Sequence, residues 1–392
     1  MKTIIFCIAF FQVAILFSQP PEENKVINSS FNSNSSSPII VMDSIQLENL
    51  NEVEIISTKK SSKNKEDVSN SKQEIKSIST TSDKFIQKKK VASNQPSSRS
   101  ADAPLQEKMD EDVSLLKLES PNSFEYYLFY YMSGNYNVDR EKELKLAEAM
   151  KPLDPDILTQ CLANAIVKED KTSALVYLQK IKENKLLSNE SIAYAADLLE
   201  SSSNNQALIT HGFLDSYGVA YQQIVQGIHP EIKLISLDLL QSETYRNGLA
   251  KEGYLLPSET VINTDYLSSF CSLNNDKKLA LSMTIPKDYL LPIQSFLFPV
   301  GLVFEYRQDH SISESSLVAR NEQLWNTSLE KQNVYQYKSM ESNNLSSNYL
   351  PMLLFLKSSY LLNNEADKLI HIDKEIGTIA EKSGKVSFIK KH

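Results

Sequence analysis

The sequence predicts a mixed fold in which an all-α part is joined to an α/β part: helical repeats, then a small α/β domain, then a helical C-terminal region. Three observations predict it. Apolar residues recur at helical spacing from Phe124 to Leu198. A strand, loop, helix and strand pattern follows in ALITHGFLDSYGVAYQQIVQGIHPEIKLISLDLL, Ala207 to Leu240. Helical spacing then returns from Ser316 to His392. The predicted divisions are a signal peptide at 1–19, a disordered spacer at 20–121, repeats at 122–203, the α/β domain at 204–310 and the helical end at 311–392.

Lys2 followed by the apolar run Ile4 to Phe17 and by Ser18-Gln19-Pro20 has the layout of a secretory signal. The run is short for a bilayer span, which takes about 20 residues. A retained N-terminal anchor is the alternative. Cys7 lies inside the run rather than at its end, so lipidation is not expected. The later apolar run Leu350 to Leu362 is broken by Lys357 and reads as a buried helix. The expected product is an exported chain, not transmembrane after cleavage, located in the periplasm or cell envelope.

From Pro20 to about Pro121 the chain is rich in Ser, Asn, Lys and Gln, and Phe85 is the only aromatic between Phe31 and Phe124. Such a composition buries too little apolar surface to offset chain entropy, which predicts a spacer. One island, Ile39 to Thr58, could form a strand. Its LNEVEIISTKK portion resembles the short segment that precedes the plug of TonB-dependent receptors, and a sticky patch in a disordered tail is the other reading.

Phe124, Tyr127, Leu128 and Tyr131 share one helical face, and Leu144 and Ala147 belong to a second helix ending at Pro152. Asp154-Pro155-Asp156 opens the next, with Ile157, Cys161, Leu162 and Ala165 on a face; Ala174, Tyr177, Leu178 and Ile181 form its partner. Another helix begins at Ser188. First helices near 124, 156 and 189 give a period of roughly 33, which resembles tetratricopeptide repeats. The consensus Trp and Gly positions are absent, and an ordinary helical bundle is the alternative. The aromatic stripe Phe124-Tyr126-Tyr127-Phe129-Tyr130-Tyr131 covers more than one face, which suits core and capping roles or a peptide groove.

In the α/β part, helices are expected around Glu243–Ala250 and Asn263–Phe270, and strands over Lys278–Ile285 and Phe298–Tyr306, the last with Gly301 as a kink or bulge. Two pieces here, ALITHGFLDSYGVAYQQIVQGIHPEIKLISLDLLQSETYRNGL and LALSMTIPKDYLLPIQSFLFPVGLVFEY, resemble the soluble part of Bacteroidota membrane proteins similar to protein O-mannosyltransferases. The likeness runs through Gly212, Asp215, Tyr221, Gln223, Gly227, Leu239-Leu240, Tyr245 and Leu249. It implies an exported α/β module. It does not carry over a transferase activity, because the multi-pass portion where that would reside has no counterpart here. Phe213 stands where the family has the first of two Asp residues. That leaves only Asp215, so a divalent ion held by two carboxylates in that loop is not expected.

In a βαβ unit the strand's C-terminal end and the next helix N-terminus face one crevice, where ligands bind. His211, Asp215 and Ser216 follow the first strand, and Asp238 ends the second; these four are the candidate ligand-binding residues. The bland alternative makes Asp215 or Ser216 the N-cap of the helix. No catalytic residue is assigned: a Gly-x-Ser-x-Gly elbow is missing and adjacent residues do not reach triad geometry. His229-Pro230 reads as a turn before the second strand. No metal and no cofactor are expected, since His211, His229, His310, His371 and His392 are scattered and Gly-rich phosphate loops are absent. Cys161 and Cys271 read as buried thiols, with a disulfide as the alternative. The net charge of −8 argues against nucleic acid. The expectation is a cell-envelope interaction or scaffold protein with a protein partner; the alternative is a ligand-binding or glycan-related enzyme domain at the crevice near Asp215.

Overall fold

The computed structural model describes residues 65–309, 312–329 and 345–389. The expected signal peptide, Cys7, the island at 39–58, His310 and His392 lie outside these residues. Helices dominate, around a small mixed sheet of five strands.

The chain enters with α1 (Lys65–Ser93) and α2 (Ala103–Glu119). Residues 65–93 and 103–119 are therefore helical, joined by a turn, where a disordered spacer was expected. The reason is local. Asp102 caps α2 by accepting from the Leu105 amide at 2.8 Å, Pro104 sits in its first turn, and Met109, Val113 and Leu116 recur at one-turn spacing and are buried. On α1, Phe85 is fully buried and stacks on Phe129 with centroids 4.5 Å apart.

Five further helices follow: α3 (Phe124–Ser133), α4 (Glu141–Met150), α5 (Pro155–Val167), α6 (Lys171–Glu183) and α7 (Asn189–Ser201). Ser123, Asp154, Asp170 and Ser188 each cap a helix with a side-chain oxygen. Neighbours in sequence pack together from α1 to α6. The aromatic stripe covers two faces because α3 lies between α2 and α4. Arg140 finishes this packing by lying over Tyr130, 4.4 Å from its centroid.

The sheet has the order β2-β1-β3-β5-β4, from β1 (Ala207–Thr210), β2 (Lys233–Ser236), β3 (Leu279–Ser282), β4 (Leu297–Val300) and β5 (Val303–Tyr306). β1 is parallel to both β2 and β3, and β5 runs antiparallel to β3 and β4. The expected closing strand is thus a hairpin, turned at Gly301-Leu302. The helix α8 (Gly212–Ile224) joins β1 to β2. The return to β3 passes through α9 (Glu243–Lys251) and α10 (Thr264–Leu273). Tyr245 covers the β2 edge: its hydroxyl accepts from the Ser236 amide and donates to the Leu234 carbonyl, each at 3.1 Å.

The helical run and the sheet share their packing. α7 packs chiefly on α8, and Gln222 donates to the Ile192 carbonyl at 2.6 Å across that interface. After α11 (Lys287–Leu290) and the hairpin come α12 (Glu314–Leu324), α13 (Leu350–Leu362), α14 (Ala366–Lys382) and α15 (Val386–Ile389). α12 and α13 both pack on β4. Buried side chains from Phe85 to Ile379 form one cluster. Among the described residues, no helix is long and apolar enough to cross a membrane.

Candidate functional site

β1 lies between its two parallel partners, so the connections leaving β1 and β3 diverge at their C-terminal ends. That divergence is where ligands bind in doubly wound sheets. The structure brings His211, Asp215, Ser216 and Asp238 to this place.

Gly212 opens α8 with φ +77°, a conformation that favours glycine. Its amide donates to Asp238 Oδ2 at 2.7 Å. Asp238, arriving from the end of β2, thus occupies the α8 N-terminus, where a negative charge is favoured. The N-cap alternative for Asp215 and Ser216 does not hold: His211 is the N-cap residue, with no capping side chain of its own.

Asp215 turns inward. Its Oδ2 accepts hydrogen bonds from the hydroxyls of Ser282 and Thr284, at and just beyond the end of β3. Burial pushes its carboxyl up to about 6, the two hydroxyls oppose that shift, and Asp238 adds to it. Ser216 Oγ lies 2.9 Å from Thr210 Oγ1 and donates to Ser236 Oγ at 3.1 Å, tying α8 to the ends of β1 and β2.

His211 is buried, and its Nε2 lies 2.7 Å from Arg99 Nη1. A guanidinium only donates, so Nε2 is the acceptor and the neutral ring carries its proton on Nδ1. Burial pushes the imidazole down to about 4, with Asp238 opposing and Arg99 reinforcing the shift.

Sequence reasoning missed the roof of this site. Arg99, buried in the turn between α1 and α2, also donates to the carbonyls of Ser93, at 3.0 Å, and Gln95. Its amide donates to the Ile262 carbonyl at 2.7 Å, and Ser98 bridges Asn263. Lys89 on α1 donates to the Met132 carbonyl at 3.1 Å and to Asn135 Oδ1 at 2.9 Å. Burial pushes its amine down to about 8, against Asp110 and Asp238. The signal that would have found the roof was the α2 pattern from Asp102 to Leu116, together with a second aromatic face on α3 that needed a cover.

Three residues singled out in the sequence stand apart. His229 (φ +45°) precedes β2, at the opposite end of that strand from the site, between Glu200 at 3.3 Å and Glu231 at 3.0 Å. Cys161 and Cys271 are buried free thiols, not a disulfide, and burial pushes the Cys161 thiol up to about 12. Among the described residues no group of His, Cys, Asp or Glu has the geometry of a metal site.

A cavity of about 30 Å³ lies beneath the roof, with Lys89, Arg99, Tyr136 and Asp238 among its lining residues. That is room for about two waters, too little for a sugar ring. Set against known protein families, curated proteins and solved structures, the chain matches none.

Proposed function

We propose that this is an exported, non-catalytic interaction protein of the cell envelope, engaging a protein partner through its helical part. The observation that carries the reading is how the crevice residues are used. Asp215 takes two hydroxyls, Ser216 links two strands, Asp238 holds the start of α8 and His211 is engaged by Arg99. Each group is committed to holding elements together, and the α1–α2 turn covers them. An enzyme acting on envelope glycans at Asp215, the alternative suggested by family resemblance, needs a carboxylate that faces substrate and a space that admits one.

The helical part offers a surface for contact. On α4, Leu146 and Met150 lie one turn apart and are exposed, and Leu153 follows in the next turn. Capture of partners from cell-envelope extracts tests the proposal. The wild type and the D215N variant should recover the same specific partner, and an L146D/M150D variant that keeps its circular dichroism should lose it. Loss of capture in D215N but not in L146D/M150D would return the function to the crevice.

A further inference from the structure

The cavity under the roof is lined by two cations, Lys89 and Arg99, without a contacting carboxylate on either. Among the described residues, neither Lys89 nor Arg99 has an Asp or Glu oxygen within ion-pair distance. Their hydrogen bonds go to neutral acceptors: the Met132 carbonyl and Asn135 for Lys89, and the Ser93 and Gln95 carbonyls and His211 for Arg99. Arg99 Nε is buried and makes no hydrogen bond. The carbonyls of Met132 and Ser93 belong to the ends of α3 and α1. Helix ends supply only about half a charge each, so they offset part of the cationic charge and not all of it. Asp238 lines the same cavity, but its Oδ2 is engaged by the Gly212 amide. His211 is neutral, which leaves the lining with two positive charges against one negative. Buried charges are ordinarily paired or neutralised.

We infer that this cavity binds a small oxyanion that carries a hydroxyl proton, of the hydrogencarbonate or dihydrogen phosphate kind, between Lys89 and Arg99 on one side and Asp238 on the other. The anionic oxygens face the ammonium and the guanidinium, and the hydroxyl donates to the Asp238 carboxylate. A monoanion brings the lining to neutrality. The cavity has room for about two waters, which suits an ion of hydrogencarbonate size and is tight for phosphate.

The turn after α3 is built toward the same place. Asn135 (φ +49°) and Tyr136 (φ +64°) are consecutive left-handed residues, and neither is glycine. Both line the cavity. Strained backbone of this kind is kept only where its surroundings hold it. Here Gln106 accepts from Asn135 Nδ2 at 3.1 Å, and Ser242 Oγ donates to the Tyr136 carbonyl at 3.1 Å. The strain places Asn135 on Lys89 and brings Tyr136 to the cavity. Burial holds the Lys89 amine down, and Asp110 and Asp238, neither in ion-pair contact with it, only partly oppose that shift. A bound ion would join α1, the turn after α3 and the β2 end, fixing the roof to the sheet.

The test is thermal unfolding of the full chain at constant ionic strength, with sodium chloride replaced stepwise by hydrogencarbonate, phosphate, acetate or nitrate. A ligand of the native state raises the melting temperature saturably. Hydrogencarbonate or phosphate should do so, and acetate and nitrate, which lack the hydroxyl donor, should bind about tenfold more weakly. K89M should abolish the response. N135D, which places a carboxylate on Lys89 and gives up the hydrogen bond to Gln106, should still fold and show no response. A melting temperature indifferent to every oxyanion, or equal responses in the wild type, K89M and N135D, would overturn the site and make the cavity a water pocket. A response to acetate and nitrate as large as to phosphate would overturn the role given to Asp238.

Discussion

Two clusters of buried charge in this molecule are built on opposite plans. At the hairpin, Glu305 is fully buried between two arginines. Arg320 reaches it in a fork, Nη2 to Oε1 at 2.6 Å and Nη1 to Oε2 at 3.0 Å, and Arg307 adds Nη2 to Oε2 at 3.2 Å. Charge and hydrogen bonds close there, and the cluster ties α12 to β5. At the switch point, Lys89 and Arg99 meet only neutral acceptors, and a cavity lies between them and Asp238. The first cluster is a clamp and leaves nothing for a ligand to do. The second holds its elements with neutral groups and leaves cationic charge facing a space. Bidentate pairing accounts for the difference, since it sets a full negative charge against the guanidinium and fixes it with two hydrogen bonds.

The clamp should give the largest effect. R320M leaves Glu305 with Arg307 alone, which is single-sided and partly exposed. Breaking a buried pair by removing one partner costs about 3 kcal/mol. Denaturant unfolding of R320M should therefore show a loss of that order. A loss well under about 1 kcal/mol would mean that Glu305 is content with one arginine and that the two clusters differ less than their geometry says.

The hairpin turn beside the clamp comes next. Gly301 has φ +57°, and a Cβ there would sit 2.7 Å from Ser201 Cβ and closer still to its Oγ. Ser201 cannot swing away freely, because its Oγ accepts from the Leu302 amide at 3.0 Å and donates to the Asp197 carbonyl at 2.7 Å. G301A therefore combines an unfavourable backbone with a disturbed α7–hairpin contact, and should cost about 2 kcal/mol. The same measurement on G384A is the control: φ is +69° there and a Cβ would meet nothing within 4 Å, so only the backbone part should appear.

The two clusters also differ in how far the sequence revealed them. β1, α8 and β2 were legible because a short apolar run, a glycine and an apolar-faced helix follow one another, and His211, Asp215, Ser216 and Asp238 lie at the ends of these elements. What each does was not legible. Asp215 could be read as a cap because capping is local, whereas its actual partners, Ser282 and Thr284, lie more than 60 residues away. The cap came instead from Asp238, 26 positions beyond the Gly212 amide it accepts from. Lys89 and Arg99 were hidden by composition. The average over residues 20–121 is polar, and the average concealed α2, whose cap and three one-turn-spaced apolar residues stand out only in a short window. The hairpin was read as one strand because its turn is only the pair Gly301-Leu302.

The last predicted effect bears directly on the switch point, and it is a matter of sign. His211 is held down to about 4 in the folded chain, below the ordinary 6.5. Between those values the unfolded chain binds the proton and the folded chain does not, so this group lowers stability as pH falls from about 6.5 to about 4. Asp215 is held up to about 6, above the ordinary 3.8. Over nearly the same window the folded chain binds that proton and the unfolded chain does not, so this group raises stability as pH falls. In the wild type the two slopes oppose one another. H211N should leave the Asp215 slope exposed, making the variant relatively more stable at pH 4.5 than at pH 7 by about 2 kcal/mol. D215N should leave the His211 slope exposed, with the opposite sign and similar size. Asp156 and Asp197, raised to about 7 and about 8 by burial, titrate in all three proteins and drop out of the differences. Urea unfolding at five pH values from 4.5 to 7.5 reads both slopes. Parallel profiles for the two variants would mean that the imidazole and the carboxyl titrate as in free solution, and that the roof laid by Arg99 does not seal the end of β1.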